Sequence, residues 1–237
     1  MVPLGVLAAG VVAVIASAAL LRSMGTRFRI GRLLATASII TVAEARDLAS
    51  RDVRRYVGVQ GRIDSETDFE DAAHRPLVFR RTRWEVRGSR GWQTWDVERQ
   101  SVPFEIHEGL DAIAIDADDL DEGLVVVPRE SVGTAADLAA DRPTDARPET
   151  PVRVVIDQLS AVEHAIALGV PRRHDGTVAL GSGLGRPLVI TTLERDEAMR
   201  VLAAGRTASV RAATVLLGVG VAGVLVGAVW LLVDAIR

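Results

Sequence analysis

Two long apolar segments stand at the ends of this 237-residue chain, and nearly all of its charge lies between them. Neither 2–21 nor 212–233 contains an ionisable side chain. At ~1.5 Å of rise per residue, a helix of either length spans a hydrocarbon core of ~30 Å. The pattern predicts two transmembrane helices, at 2–21 and 212–233. Between them it predicts one mainly β domain at about 40–205, a small barrel or sandwich of short strands. A cleaved signal peptide is the rival reading of 2–21, but no basic residue precedes the apolar run. Arg22, Arg27, Arg29 and Arg32 follow the first segment, and Arg195, Arg200, Arg206 and Arg211 precede the second. By the positive-inside rule, these flanks predict a multi-pass cell-membrane protein with a cytoplasmic central domain.

All 28 basic residues are arginine. With abundant Ala, Val and Asp, this points to a prokaryotic, GC-rich genome. The net charge of -3 argues against a nucleic-acid binder, which needs a basic surplus to neutralise phosphates. The chain has no cysteine, which removes disulfides, thiolate nucleophiles and Cys-based zinc sites.

Thr41 and Glu44 have capping-box spacing and predict a short helix to about Leu48. Strands are expected at 56–63, 77–86, 92–99, 102–107, 111–115 and 124–128. Others follow at 153–159, 165–170, 177–180 and 188–192. Residues 131–151, rich in Asp, Ala, Thr and Pro, read as a flexible loop. Residues 172–176 and 181–185 read as turns. A helix starts near Leu193 and is expected to continue into the second apolar segment.

The order of several pieces resembles the GIDE domain family. This is the "beside a membrane" domain found between the two spans of a mitochondrial outer-membrane ubiquitin ligase. The pieces are Val57-Gly-Val-Gln-Gly-Arg-Ile63, His74 to Val86, Val102-Pro-Phe-Glu-Ile106 with Ile113-Ala-Ile-Asp116, Glu163 to Gly169, and Pro187 to Thr192. The resemblance implies a β domain set between two spans and acting as a binding or regulatory module. The partner it implies is a protein or a lipid bilayer. The family's ligase activity belongs to a zinc-binding RING finger, and a chain without cysteine cannot form one. No catalytic residue, cofactor or metal site is therefore expected. A transferase-like accessory component and a structural oligomer are the alternatives.

On a strand, Arg81, Arg83, Glu85 and Arg87 share one face. Arg81, Arg83 and Arg87 are the candidate surface contacts, with a solvated face paired through Glu85 as the plainer reading. Gly223 and Gly227 form a GxxxG pattern and are the candidate helix-packing residues for a homo-oligomer. His74, His107, His164 and His174 lack the spacing of a metal motif. The acidic residues 116–122 lack the glycine of an EF-hand loop. Trp84, Trp92 and Trp95 are expected in the core.

Overall fold

The computed structural model describes residues 2–89, 91–120, 122–138, 146–174, 176–203 and 206–236. Two units emerge, one of residues 33–201 and one of 1–32 with 202–237. The elements are α1 (Val2–Thr36), α2 (Val42–Ser50), β1 (Val57–Asp64), β2 (Phe69–Glu70), β3 (Pro76–Gly88), β4 (Gly91–Ser101), β5 (Glu105–Glu108) and β6 (Asp111–Ile115). They continue as β7 (Leu124–Val125), β8 (Arg129–Thr134), β9 (Pro151–Ser160), β10 (His164–His174), β11 (Thr177–Gly181), β12 (Val189–Thr191), α3 (Arg195–Ala203) and α4 (Arg206–Ile236).

The domain is mainly β, with two sheets. In the first, β1, β5, β6, β11 and β10 pair in that order, and β10 returns to pair with β1. Four of these five pairings are antiparallel; β6 with β11 is parallel. This is the strand order of a five-stranded Greek-key barrel of the OB type. The far edge of β10 is divided. Residues 166–168 pair with β12, and residues 170–174 pair with β11. Inside the barrel lie Val59, Ile63, Ile106, Ile113, Ile115, Ala167 and Leu180. Val42 and Ala45 of α2 belong to the same core.

Thr41 and Glu44 form the expected capping box on α2. A second anion sits at the same helix start: Glu108 of β5 accepts the Val42 N–H at 2.7 Å. The helix is thus pinned to the barrel at its positive end.

The second sheet is built from two insertions into the barrel. β2, β3 and β4 lie between β1 and β5, and β8 and β9 lie between β6 and β10. β3 is flanked by β4 and β9, and β8 pairs with the outer side of β9. Leu77, Val78, Phe79 and Leu159 are fully buried. They root this sheet in the domain core, and the rest of β3 runs on beyond them.

Several expectations are corrected here. Residues 131–134, assigned to a flexible loop, form the end of β8, because they find β9 as a hydrogen-bonding partner. Residues 139–145 of that segment lie outside the described residues. The turn expected at 172–176 begins later, since Arg172 to His174 still pair with β11. The expected continuity of the helix from near Leu193 into the second apolar segment falls on residues 204 and 205, which lie outside the described residues between α3 and α4.

The largest correction concerns the ends. Among the described residues, no helix is long and apolar enough to cross a membrane. A β domain inserted between two transmembrane helices, and with it the multi-pass cell-membrane placement, is not supported. The flanking Arg22, Arg27, Arg206 and Arg211 have no described side chains.

In their own unit, α1 and α4 meet through glycines. A Cβ on Gly10 would lie 2.7 Å from the Val224 backbone nitrogen and 3.0 Å from the Gly223 carbonyl carbon. One on Gly227 would lie 2.8 Å from Leu7 Cβ. The candidate packing residues Gly223 and Gly227 therefore face α1 of the same chain.

Candidate functional site

Cross-strand register decides which side chains share a face of the second sheet. Arg81 stands opposite Asp157, Arg83 opposite Val155, and Glu85 opposite Arg153. On the other side of β3, Arg81 stands opposite Arg99, Arg83 opposite Val97, and Arg87 opposite Trp92. Directly opposed residues lie on one face. The face that looked like a basic strip in sequence is thus supplied with carboxylates by β9 and β3 itself.

Asp157 is buried and accepts two hydrogen bonds from Arg81, at 3.1 Å from Nε and 2.9 Å from Nη2. Arg83 reaches the same carboxylate at 3.4 Å. Glu85, also buried, accepts from Arg153 at 2.8 and 2.5 Å, and Arg153 extends to Glu130 at 3.5 Å. Val155, which stands opposite Arg83 in the register, is buried. Arg81 and Arg83 are therefore committed to the sheet. Of the three predicted contact residues, only Arg87 remains exposed.

Arg87 lies over the Trp92 ring at 5.6 Å, and Arg153 lies over the same ring at 5.0 Å. Trp92 is half-buried, with both guanidinium groups within cation–π distance of its ring. Exposed Val97 and Val132 share this face. Trp84 is buried, whereas Trp95 is half-buried at a bulge where the β3–β4 register shifts between Trp84 and Glu85. None of the three belongs to the main hydrophobic cluster, so the expectation of core packing is corrected for Trp92 and Trp95.

The barrel carries a separate cleft of about 470 Å³ on its outer wall. Gln60, His107, Glu108, His164, Ile166, Thr191 and Glu194 line it. His107 and His164 stand on opposite sides of Arg62 in the register. His107 Nε2 lies 3.4 Å from Glu105 and 3.9 Å from Asp64. Glu108 and Thr191 hold the walls, by accepting the Val42 and Leu193 N–H groups. Among the described residues, no group of three or more His, Asp or Glu side chains is arranged to hold a metal ion.

The acidic stretch after β6 also finds its cation within the chain. Arg172 Nη2 lies 2.5 Å from Asp116 and 2.9 Å from Asp119. Asp119 accepts further bonds from the Ser182 N–H and hydroxyl at 2.7 and 2.8 Å. Gly181 leaves the space for this, since a Cβ there would lie 2.8 Å from Arg172 Nη2.

At the β2–β3 turn, the side-chain hydrogen bond from Arg75 holds the Asp71 carboxyl well below the usual carboxylate range. The N–H groups of Arg75 and Ala73 add to this. A depressed folded-state value stabilises the fold above the unfolded carboxylate value of ~3.9. That contribution is lost as pH falls through the folded value. Urea midpoints of the wild type and Asp71→Asn should therefore differ at pH 7 and converge in strong acid. A constant gap across that range would refute the linkage.

No family model matches this chain, and neither does any curated protein or solved structure. Nothing in these comparisons supports the GIDE-domain and ubiquitin-ligase-like descriptions, and the transmembrane description falls with the helices.

Proposed function

We propose that the β domain is a non-catalytic recognition module for a partner protein, with the Arg87–Trp92–Arg153 stack at the centre of its contact surface. The observation that carries this reading is Trp92, half-buried, with two guanidinium groups over its ring and exposed Val97 and Val132 on the same sheet face. Tryptophan and arginine dominate the energetics of protein interfaces, and a side chain already fixed in place loses little entropy on binding. From the GIDE-like resemblance, the reading retains only the role of a binding module. An OB-type barrel assigns no ligand by itself.

The test compares tagged full-length wild type and Trp92→Ala, purified from the native cell under identical conditions. Proteins that co-purify in stoichiometric amounts with the wild type should be depleted at least tenfold with Trp92→Ala. Arg81 and Arg83 are unsuitable controls because they hold the sheet together. Leu184→Ala, at an exposed turn of the barrel, should leave recovery unchanged. Equal recovery with Trp92→Ala would sink the proposal.

A further inference from the structure

We infer that the sheet face around Trp92 takes an acidic segment of the partner protein, with one of its carboxylates on Arg87. This rests on the protein-recognition reading and names the partner's chemistry at the same site. The strand register puts four arginines and three carboxylates of β3, β8 and β9 on this face. The carboxylates are all engaged within the sheet. Asp157 serves both Arg81 and Arg83, and Glu85 and Glu130 both serve Arg153. Acceptors run short of donors: Arg83 Nε is buried and, among the described residues, has no hydrogen-bond partner. Arg87 is the fourth arginine. It is exposed, and among the described residues its guanidinium meets the Trp92 ring and no carboxylate. The turn that follows, at 88–91, has no acidic residue. Arg99, at the far end of the face, is engaged within the chain and lies over the Phe79 ring.

What is left exposed selects the occupant. A guanidinium fork pairs with a planar carboxylate through two parallel hydrogen bonds. Trp92 beside it is half-buried, and Val97 and Val132 are more than half exposed. Along the strand direction, Val132 stands one register row from Arg87 and Val97 two, which is ~7 and ~14 Å at two residues per row. The complementary segment thus carries an acidic residue at one end and apolar side chains over the next ~14 Å, about four residues of extended chain. A basic segment is repelled by Arg87 and finds the carboxylates of this face already paired. The whole chain has a net charge of -3, so attraction of an acidic segment belongs to this face and not to the molecule at large.

The probe is a fluorescein-labelled octapeptide of two glutamates followed by alternating serine and leucine, titrated into the full chain. It should bind at least tenfold more tightly than the same peptide with glutamine or arginine in place of glutamate. Arg87→Glu should weaken it at least tenfold and pass the preference to the arginine peptide. Arg87→Gln, which removes the charge without reversing it, should bind the glutamate and glutamine peptides equally. Arg62→Glu makes the same change of charge at an exposed barrel residue and should leave binding as in the wild type. If the glutamate peptide fails to bind, or the wild type binds the glutamine peptide as well, no acidic group is recognised and the inference is refuted. Equal weakening by Arg62→Glu and Arg87→Glu would show diffuse charge and refute it too. Loss of partner with Trp92→Ala, alongside failure of the glutamate peptide, would remove the acidic segment alone and leave the recognition module standing.

Discussion

Asp157→Ala is expected to destabilise the domain by about 3–5 kcal/mol, the usual cost of removing one partner from a buried ion pair. Asp157 is buried and is shared by Arg81 and Arg83. Removing it leaves the Arg81 guanidinium, itself buried, without its charge partner across the strand pair. A domain of this size has a total stability of ~5–15 kcal/mol, so the variant should lose a large part of it. Urea unfolding of wild type and variant at neutral pH measures the change. An exposed pair contributes only ~0–1 kcal/mol. A shift that small would mean that water reaches Asp157 and that the ion network does not hold β3 against β9. Asp157→Ala combined with Arg81→Met should recover part of the loss, because the stranded charge goes with its partner.

Gly61→Ala is the second large effect. At Gly61, β1 comes so close to β5 that a Cβ would lie 2.1 Å from the His107 carbonyl oxygen. A flexible side chain swings away from such a clash, but a backbone carbonyl within a sheet does not. Overpacking of this kind costs about 1–3 kcal/mol, and a backbone neighbour puts Gly61→Ala at or above the upper end. The same residue lines the barrel cleft beside His107 and Gln60. Denaturant unfolding should show the lower midpoint, and amide exchange along β1 and β5 should rise before exchange in the second sheet. Unchanged exchange at the β1–β5 pair would contradict the close approach.

The sequence made the local decisions legible. Thr41 and Glu44 announced the α2 cap because a capping box is complete within four residues. The long strands β3, β4 and β9 showed themselves by period-two patterning. Distant pairings were not legible. Nothing near Arg81 in sequence reveals that its carboxylate is Asp157, 76 positions away. A face paired through Glu85 was the plainer reading of Arg81, Arg83 and Arg87, but the partners that β9 brings, Asp157 and Arg153, could not be named from it. For the same reason Asp116 and Asp119 looked like an isolated acidic turn until β10 brought Arg172 to them. The start of 131–151 resembled a loop by composition, yet its first residues join an edge where backbone pairing outweighs propensity. Apolar composition at the two ends suggested membrane spans, but among the described residues no helix is long and apolar enough to cross a membrane. Trp92 could be noted in sequence. Its two stacked arginines come from β3 and β9, so only the folded sheet joins them.

The order of synthesis gives the barrel seam a further meaning. Val57 of β1 pairs with Gly169 of β10, about 110 residues later. At ~5–20 residues per second, roughly 5–20 s pass between the emergence of one strand and its partner. During that interval β5 becomes available for one edge of β1, and the other edge stays open. The inserted sheet needs nothing beyond Ser160 at the end of β9, so all its strands are made before β10 begins. The nascent chain therefore has every strand of its insertion before it has the last strands of the barrel that carries it, and for that time the seam edge of β1 lacks its native partner strand.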